Sequence, residues 1–122
     1  MALHNDLGRK GEELARQHLE TASYEILDEN WCFGKAEIDL IVYLNKTIIF
    51  VEVKTRTGNA FGEPEDFVDA AKQKLLASAA DEFIELMDFK GEARFDIIAI
   101  LFDKQGNYRL NHIQDAFWPE PE

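Results

Sequence analysis

Asp39 is followed thirteen residues later by Glu52, and Lys54 stands two positions beyond that, in a chain of 122 residues. Two carboxylates and a lysine in this order are what a hard divalent cation and a phosphodiester would need. Carboxylate oxygens suit Mg²⁺, which keeps several of its waters and takes only one or two protein carboxylates. The cation neutralises charge developing at phosphorus and lowers the pKa of a bound water. A lysine on the same strand face as Glu52 can orient the attacking water or hold the scissile phosphate. Taken alone, the three residues are explained equally well by an ordinary cross-strand ion pair.

Their setting strengthens the chemical reading. Glu37-Ile38-Asp39-Leu40-Ile41-Val42-Tyr43 and Thr47-Ile48-Ile49-Phe50-Val51-Glu52-Val53-Lys54-Thr55-Arg56 flank Asn45-Lys46, the spacing of two antiparallel strands joined by a tight turn. If Leu44 pairs with Thr47, counting places Asp39 opposite Glu52 and Glu37 opposite Lys54. Alternation then puts Glu37, Asp39, Ile41 and Tyr43 on one face with Ile48, Phe50, Glu52, Lys54 and Arg56. The other face carries Ile38, Leu40 and Val42 against Ile49, Val51 and Val53. Strands that are apolar on both sides lie centrally in a covered sheet, so the charged residues are expected to be partly buried at one end of it. Burial costs several kcal/mol per ion unless the ion is paired or binds a metal.

The flanking segments must position this cluster. Residues 5–21 read as a helix capped by Asn5 or Asp6, with Leu7, Gly11, Leu14, Ala15, Leu19 and Ala22 recurring at helical spacing. Gly8 and Gly11 suggest close approach of another backbone. Glu12 falls on the inward stripe and needs a partner; a boundary ion pair and a functional role are equally open on pattern alone. A short strand over 24–27 leads to Trp31-Cys32-Phe33, and Gly34-Lys35 turns the chain into the hairpin. Beyond it, the loop 57–64 with its single aromatic Phe61 reads either as a lid or as a connection.

A helix over 65–88, with Glu65 or Asp66 near its start and a stripe of Val68, Ala71, Leu75, Ala79, Phe83 and Leu86, should cover one sheet face. Lys72, Gln73 and Lys74 lie in its first turns, where a solvated surface is the simplest account. Strands follow over 94–102 and 108–113. Asp96, a lone acid in an apolar strand, is expected to be a structural hydrogen-bonding residue, and His112 a boundary histidine. Ala116-Phe117-Trp118 should pack the C-terminal segment down.

The chain holds 46% hydrophobic and 30% charged residues, the composition of a globular protein with one core, so residues 1–122 are read as a single domain. No apolar run approaches the ~20 residues of a membrane span, and the polar start lacks a signal-peptide apolar region. A cytoplasmic location is therefore expected. Cys32, the single cysteine, makes neither an internal disulfide nor a zinc-site spacing. A net charge of -11 argues against a broad basic surface of the kind that grips duplex DNA. Any such grip must be local, and Arg9, Lys10, Lys35, Lys54, Arg56, Lys72 and Lys74 do fall near the hairpin.

The run Gly8-x-x-Gly11-Glu12-x-x-Ala15, Asn30, Gly34, Glu37-Ile38-Asp39-Leu40-Ile41, Phe50-Val51-Glu52-Val53-Lys54-x-Arg56, Phe61-Gly62, Lys72-Gln73, Arg94-Phe95-Asp96 and Ala116-Phe117 closely resembles the YraN-like family of predicted endonucleases. That family belongs to the restriction-endonuclease-like PD-(D/E)XK superfamily and is similar in core to archaeal Holliday junction resolvases. The resemblance implies an α/β fold with an αβββαβ core, a mixed central sheet flanked by helices. It implies an active-site set of Glu12, Asp39, Glu52 and Lys54, with Mg²⁺ or Mn²⁺ held by Asp39 and Glu52 and also by Glu12. DNA, branched or recombining, is the implied substrate, with Arg56, Lys72, Gln73 and Lys35 as the residues expected to meet it. A homodimer is the state that related resolvases suggest. Two departures from the family pattern stand out: Lys35-Ala36 separates Gly34 from Glu37, and Cys32 occupies a commonly basic position. The alternative reading is a catalytically silent adaptor that keeps the nuclease fold for binding nucleic acid or protein.

Overall fold

A computed structural model describes residues 3–58 and 68–118. Helix α1 (Leu3–Thr21) precedes three strands, β1 (Glu25–Phe33), β2 (Ala36–Leu44) and β3 (Thr47–Thr57). Helix α2 (Ala70–Leu86) and strands β4 (Glu92–Phe102) and β5 (Tyr108–Phe117) complete the order. The five strands form one sheet in the order β1-β2-β3-β4-β5, with β3 and β4 parallel and every other neighbour antiparallel. The parallel pair requires a crossover, and α2 supplies it. This is the expected αβββαβ core with a fifth strand added at the edge.

The two faces of β3 explain the layering. Ile48 and Phe50 pack with Leu76, Ala79, Ala80 and Phe83 of α2, whereas Ile49 and Val51 pack with Ala15 and Leu19 of α1. β3 and β4 are thus covered on both sides, as continuous apolar runs demand. The hairpin turn also follows the sequence: Asn45 (φ 52°) and Lys46 (φ 62°) both adopt left-handed backbone, the geometry of a two-residue turn matched to strand twist. Among the described residues, no helix is long and apolar enough to cross a membrane.

Several element boundaries differ from the sequence expectation. α1 starts at Leu3, so Asp6 lies in its first turn rather than at its cap. There its carboxylate pairs with Arg9 at 2.8 Å and complements the helix dipole. The strand expected over 24–27 continues to Phe33, with an irregularity between Ile26 and Asp28, and β5 extends to Phe117, which stacks on Phe95 at 5.0 Å. α2 is capped by Asp69, whose side chain accepts the Lys72 N–H at 2.9 Å. Glu65 and Asp66 lie outside the described residues, as does most of the loop 57–64 with Phe61.

The buried stripe of α2 is Leu76, Ala79, Ala80 and Phe83, whereas Leu75 (42%) and Leu86 (66%) are exposed. Two apolar stripes one residue apart coexist in this sequence. Phe83, common to both, meets Trp31 and Phe50 edge-on, and the packing of Leu76 and Ala80 with Ile38, Ile41 and Phe50 selects the stripe that faces the sheet.

Gly11, but not Gly8, marks a close approach. A Cβ on Gly11 would overlap Thr55 Oγ1 of β3, whereas Gly8 has nothing within 4 Å. Gly8→Ala is therefore expected to gain about 1 kcal/mol from helix propensity, and Gly11→Ala to lose about 1–3 kcal/mol from overpacking. Urea denaturation checks both, and adding Thr55→Ala to Gly11→Ala should return most of the loss.

Candidate active site

The β2–β3 ladder runs from Leu44↔Thr47 to Leu40↔Val51, in the register counted from the turn. It then stops. The Asp39 carboxylate accepts the backbone N–H of Val53 at 2.8 Å, so a side chain takes the place of the next ladder partner. Asp39 and Glu52 are consequently not a ladder pair, and strict alternation breaks at Asp39. Ala36 and Ile38 join Ile41 in the layer facing α2, although Ile38 and Ile41 are three residues apart. Glu37, placed opposite Lys54 by counting, is exposed and lies 3.8 Å from Cys32 Sγ, which donates to its carboxylate.

Glu52 is 5% exposed and is one of two buried charged residues among those described. Lys54, two residues along β3, brings Nζ to 3.2 Å from Glu52 Oε2. Lys72, from the first turn of α2, places its ammonium on the same oxygen. Asp69 fixes this turn by capping it, so the cap sets where Lys72 can reach. Glu12 is half-buried on α1, and its Oε1 accepts from Asn30 Nδ2 at 3.2 Å.

The electrostatics tie these residues together. Burial, and next the Glu52 carboxylate, push the Asp39 carboxyl up to about 7, against the Val53 N–H that favours its ionised form; Glu12 and Glu37 push the same way as Glu52. Lys54 is drawn below its ordinary value by burial and by the neighbouring Lys72. Burial also pulls on Lys72, but the Glu52 carboxylate outweighs it and holds Lys72 above its ordinary value. Two lysines therefore neutralise a buried carboxylate, while a second carboxylate beside it is left short of cations.

Of the expected site residues, Glu52 and Lys54 meet on β3, and Asp39 lies near enough to Glu52 and Glu12 for their charges to act on it. Lys72 joins them through Glu52. Gln73 does not, because its Nε2 donates to Val68 O at 3.2 Å, a contact within the helix entry. Lys35 is exposed beside the β1–β2 turn, and Arg56 is exposed near the end of β3, donating to Thr55 O at 3.2 Å. Asn30, one of the residues that carry the family resemblance, enters the site through its bond to Glu12, and its left-handed backbone within a strand (φ 51°) is one that few residues other than Asn adopt without strain.

The donor set suits Mg²⁺ or Mn²⁺. Asp39, Glu52 and Glu12 offer only hard oxygen ligands, and a cation would relieve the repulsion that raises Asp39. Among the described residues no group of three or more His, Cys, Asp or Glu is close enough together to hold a metal ion, so any ion here would rest on one or two carboxylates and its own waters, as Mg²⁺ does.

A second buried carboxylate behaves differently. Asp96 is fully buried and accepts from Arg94 Nε and Nη2 at 2.9 and 3.1 Å, from His112 Nε2 at 2.8 Å and from the Asp115 N–H at 2.9 Å. Arg94 also donates to Tyr24 OH at 3.1 Å, and His112 Nδ1 lies 3.0 Å from His18 Nε2. Burial alone would raise the Asp96 carboxyl, but the bonds from His112, Arg94 and Asp115 outweigh it and hold the group below its ordinary value. The structural role expected for Asp96 and the boundary position expected for His112 both hold.

Comparison with known proteins adds family membership. Residues 11–100 match the family described as "Uncharacterised protein family UPF0102". A UPF0102 protein of Flavobacterium psychrophilum is 45% identical over 118 residues, 97% of this chain and 98% of the relative. Another, from Christiangramia forsetii, is 47% identical over the same shares, and one from Bacteroides thetaiotaomicron is 40% identical over 98% of each chain. The matched span contains all of Glu12, Asp39, Glu52 and Lys54, and the chain belongs to the UPF0102, or YraN, family.

Proposed function

We propose that this protein is a metal-dependent nuclease that hydrolyses DNA phosphodiester bonds, with Asp39, Glu52 and Lys54 at its centre and Glu12 beside them. The observation that carries this reading is a carboxyl pushed up to about 7 next to a buried carboxylate that two lysines share. Groups shifted by burial and by a like charge concentrate at functional sites.

Asp39 and Glu52 would hold Mg²⁺ or Mn²⁺, with Glu12 reaching the same ion directly or through its waters. When bound, the ion neutralises charge at the scissile phosphate and acidifies a water. Lys54 is placed beside Glu52 to donate to the attacking water or to a phosphate oxygen. The Val53 N–H holds Asp39 in position, and Asn30 steadies Glu12. Arg56 and Lys35 supply local positive charge, consistent with a short grip on DNA by a chain of net charge -11. Branched DNA is the first substrate to test because such a grip suits a preformed distortion better than uniform duplex.

A binding role without turnover is the second reading, favoured by the way Lys54 and Lys72 already neutralise Glu52. Incubation with Mg²⁺ or Mn²⁺ on single-stranded, duplex, flap and four-way-junction DNA separates the two. Nuclease action predicts cleavage of at least one substrate and a loss of roughly 10²–10³-fold in Lys54→Ala. Binding of DNA with no cleavage in any metal supports the adaptor, and cleavage undiminished in Lys54→Ala and Asp39→Ala overturns the site assignment.

A further inference from the structure

We infer that Lys72 is an exchangeable counter-ion of the site: its ammonium and the divalent cation compete for Glu52 Oε2, and cation loading releases Lys72 from the carboxylate towards the DNA phosphates. The inference rests on the metal-dependent reading above and assigns Lys72 a positioning role within it.

The geometry supports competition. Glu52 Oε2 faces two ammonium groups: Lys72 donates a hydrogen bond to it, and Lys54 forms an ion pair with it at 3.2 Å. A cation bonded to that oxygen at the short distance typical of Mg²⁺ competes with the Lys72 ammonium that already donates to it. Charge gives the same result. With Asp39 and Glu12 ionised beside Glu52, three carboxylates face two ammoniums; a dication added to that set leaves it net positive, and departure of one ammonium restores neutrality.

Exposure and connectivity select Lys72 as the one that leaves. Its side chain is 37% exposed against 23% for Lys54, so its ammonium reaches water more readily. Lys54 stands on the same strand as Glu52, whereas Lys72 reaches over from α2. The Lys72 backbone N–H is held by the Asp69 cap, so its side chain can swing without the helix moving. Release would place a free ammonium at the rim of the site as a phosphate arrives, which links cation binding to DNA binding.

Calorimetric titration with Mn²⁺ at fixed pH and ionic strength tests this. Lys72→Gln is expected to bind Mn²⁺ about tenfold more tightly than the wild type or more, through removal of a like charge beside the ion. Lys72→Arg should bind no more tightly than the wild type, and Lys74→Gln, on the exposed side of the same helix, should change affinity by less than about twofold. In the wild type, amine-reactive labelling read by mass spectrometry should increase at Lys72 on Mn²⁺ addition, which needs no variant to fold. Asp39-dependent binding that is unchanged or weakened in Lys72→Gln, with Lys72 labelling unaffected by Mn²⁺, overturns the counter-ion role alone. Absence of Mn²⁺ binding in the wild type and in Lys72→Gln overturns that role together with the metal-dependent reading.

Discussion

Asp39→Asn is expected to make the protein more stable at pH 8, by on the order of 2–4 kcal/mol, while removing its affinity for divalent cations. Burial and the Glu52 carboxylate raise the Asp39 carboxyl from 3.8 to about 7, so the folded protein holds this proton more tightly than the unfolded chain. Stability is thus fully present below the unfolded value, falls as pH rises through the interval, and has lost this contribution above about 7. Asn cannot ionise, yet its carbonyl can still accept the Val53 N–H. The stability difference between variant and wild type should therefore grow from pH 4 to pH 7 and then level off. Urea denaturation across that range checks the sign. A pH-independent difference, or a destabilised variant at pH 8, would remove the electrostatic account of Asp39.

Asp96→Ala should have the opposite sign and a comparable size. It leaves the Arg94 guanidinium and His112 without the carboxylate that both contact, and removal of one partner of a buried ion pair costs about 3–5 kcal/mol. That is a large share of the roughly 5–15 kcal/mol that holds a protein folded. Because the folded Asp96 carboxyl lies below its ordinary value, its contribution is present above the unfolded value near 3.8 and is lost as pH falls through the lower, folded one. Thermal melts at pH 7 should show Asp96→Ala strongly lowered and Asp96→Asn between it and the wild type. Equal melting of Asp96→Ala and wild type would contradict the structural role. Within one sheet, then, the buried Asp96 is expected to stabilise the fold and the half-buried Asp39 to destabilise it, a contrast expected if the second is kept for ligand binding.

Much of this contrast is legible in the sequence. The hairpin register follows from Asn45-Lys46 and the apolar runs beside it, and the inward position of Glu12 follows from helical spacing with Leu19 and Ala15. Asp96 could be read as structural from its apolar strand alone. The break at Asp39 could not, because alternation presumes backbone partners, and here a side chain accepts the Val53 N–H instead. The face of α2 differs from the expected Leu75 stripe, because Leu75 and Leu76 begin equally apolar stripes and it is Leu76 that is buried. The packing of Leu76 and Ala80 in one cluster with Ile38, Ile41 and Phe50, residues distant in sequence, decides between them. Lys72 on Glu52 is likewise a contact between elements twenty residues apart, which local periodicity does not encode.

The most direct test of the central claim is single-turnover cleavage of a four-way DNA junction by excess protein, with Mn²⁺ and with a chelator, in the wild type and Glu52→Gln. The account predicts Mn²⁺-dependent strand cleavage by the wild type, none with chelator, and a rate roughly 10²–10³-fold lower in Glu52→Gln. Cleavage that persists in the chelator, or proceeds at the wild-type rate in Glu52→Gln, would contradict it.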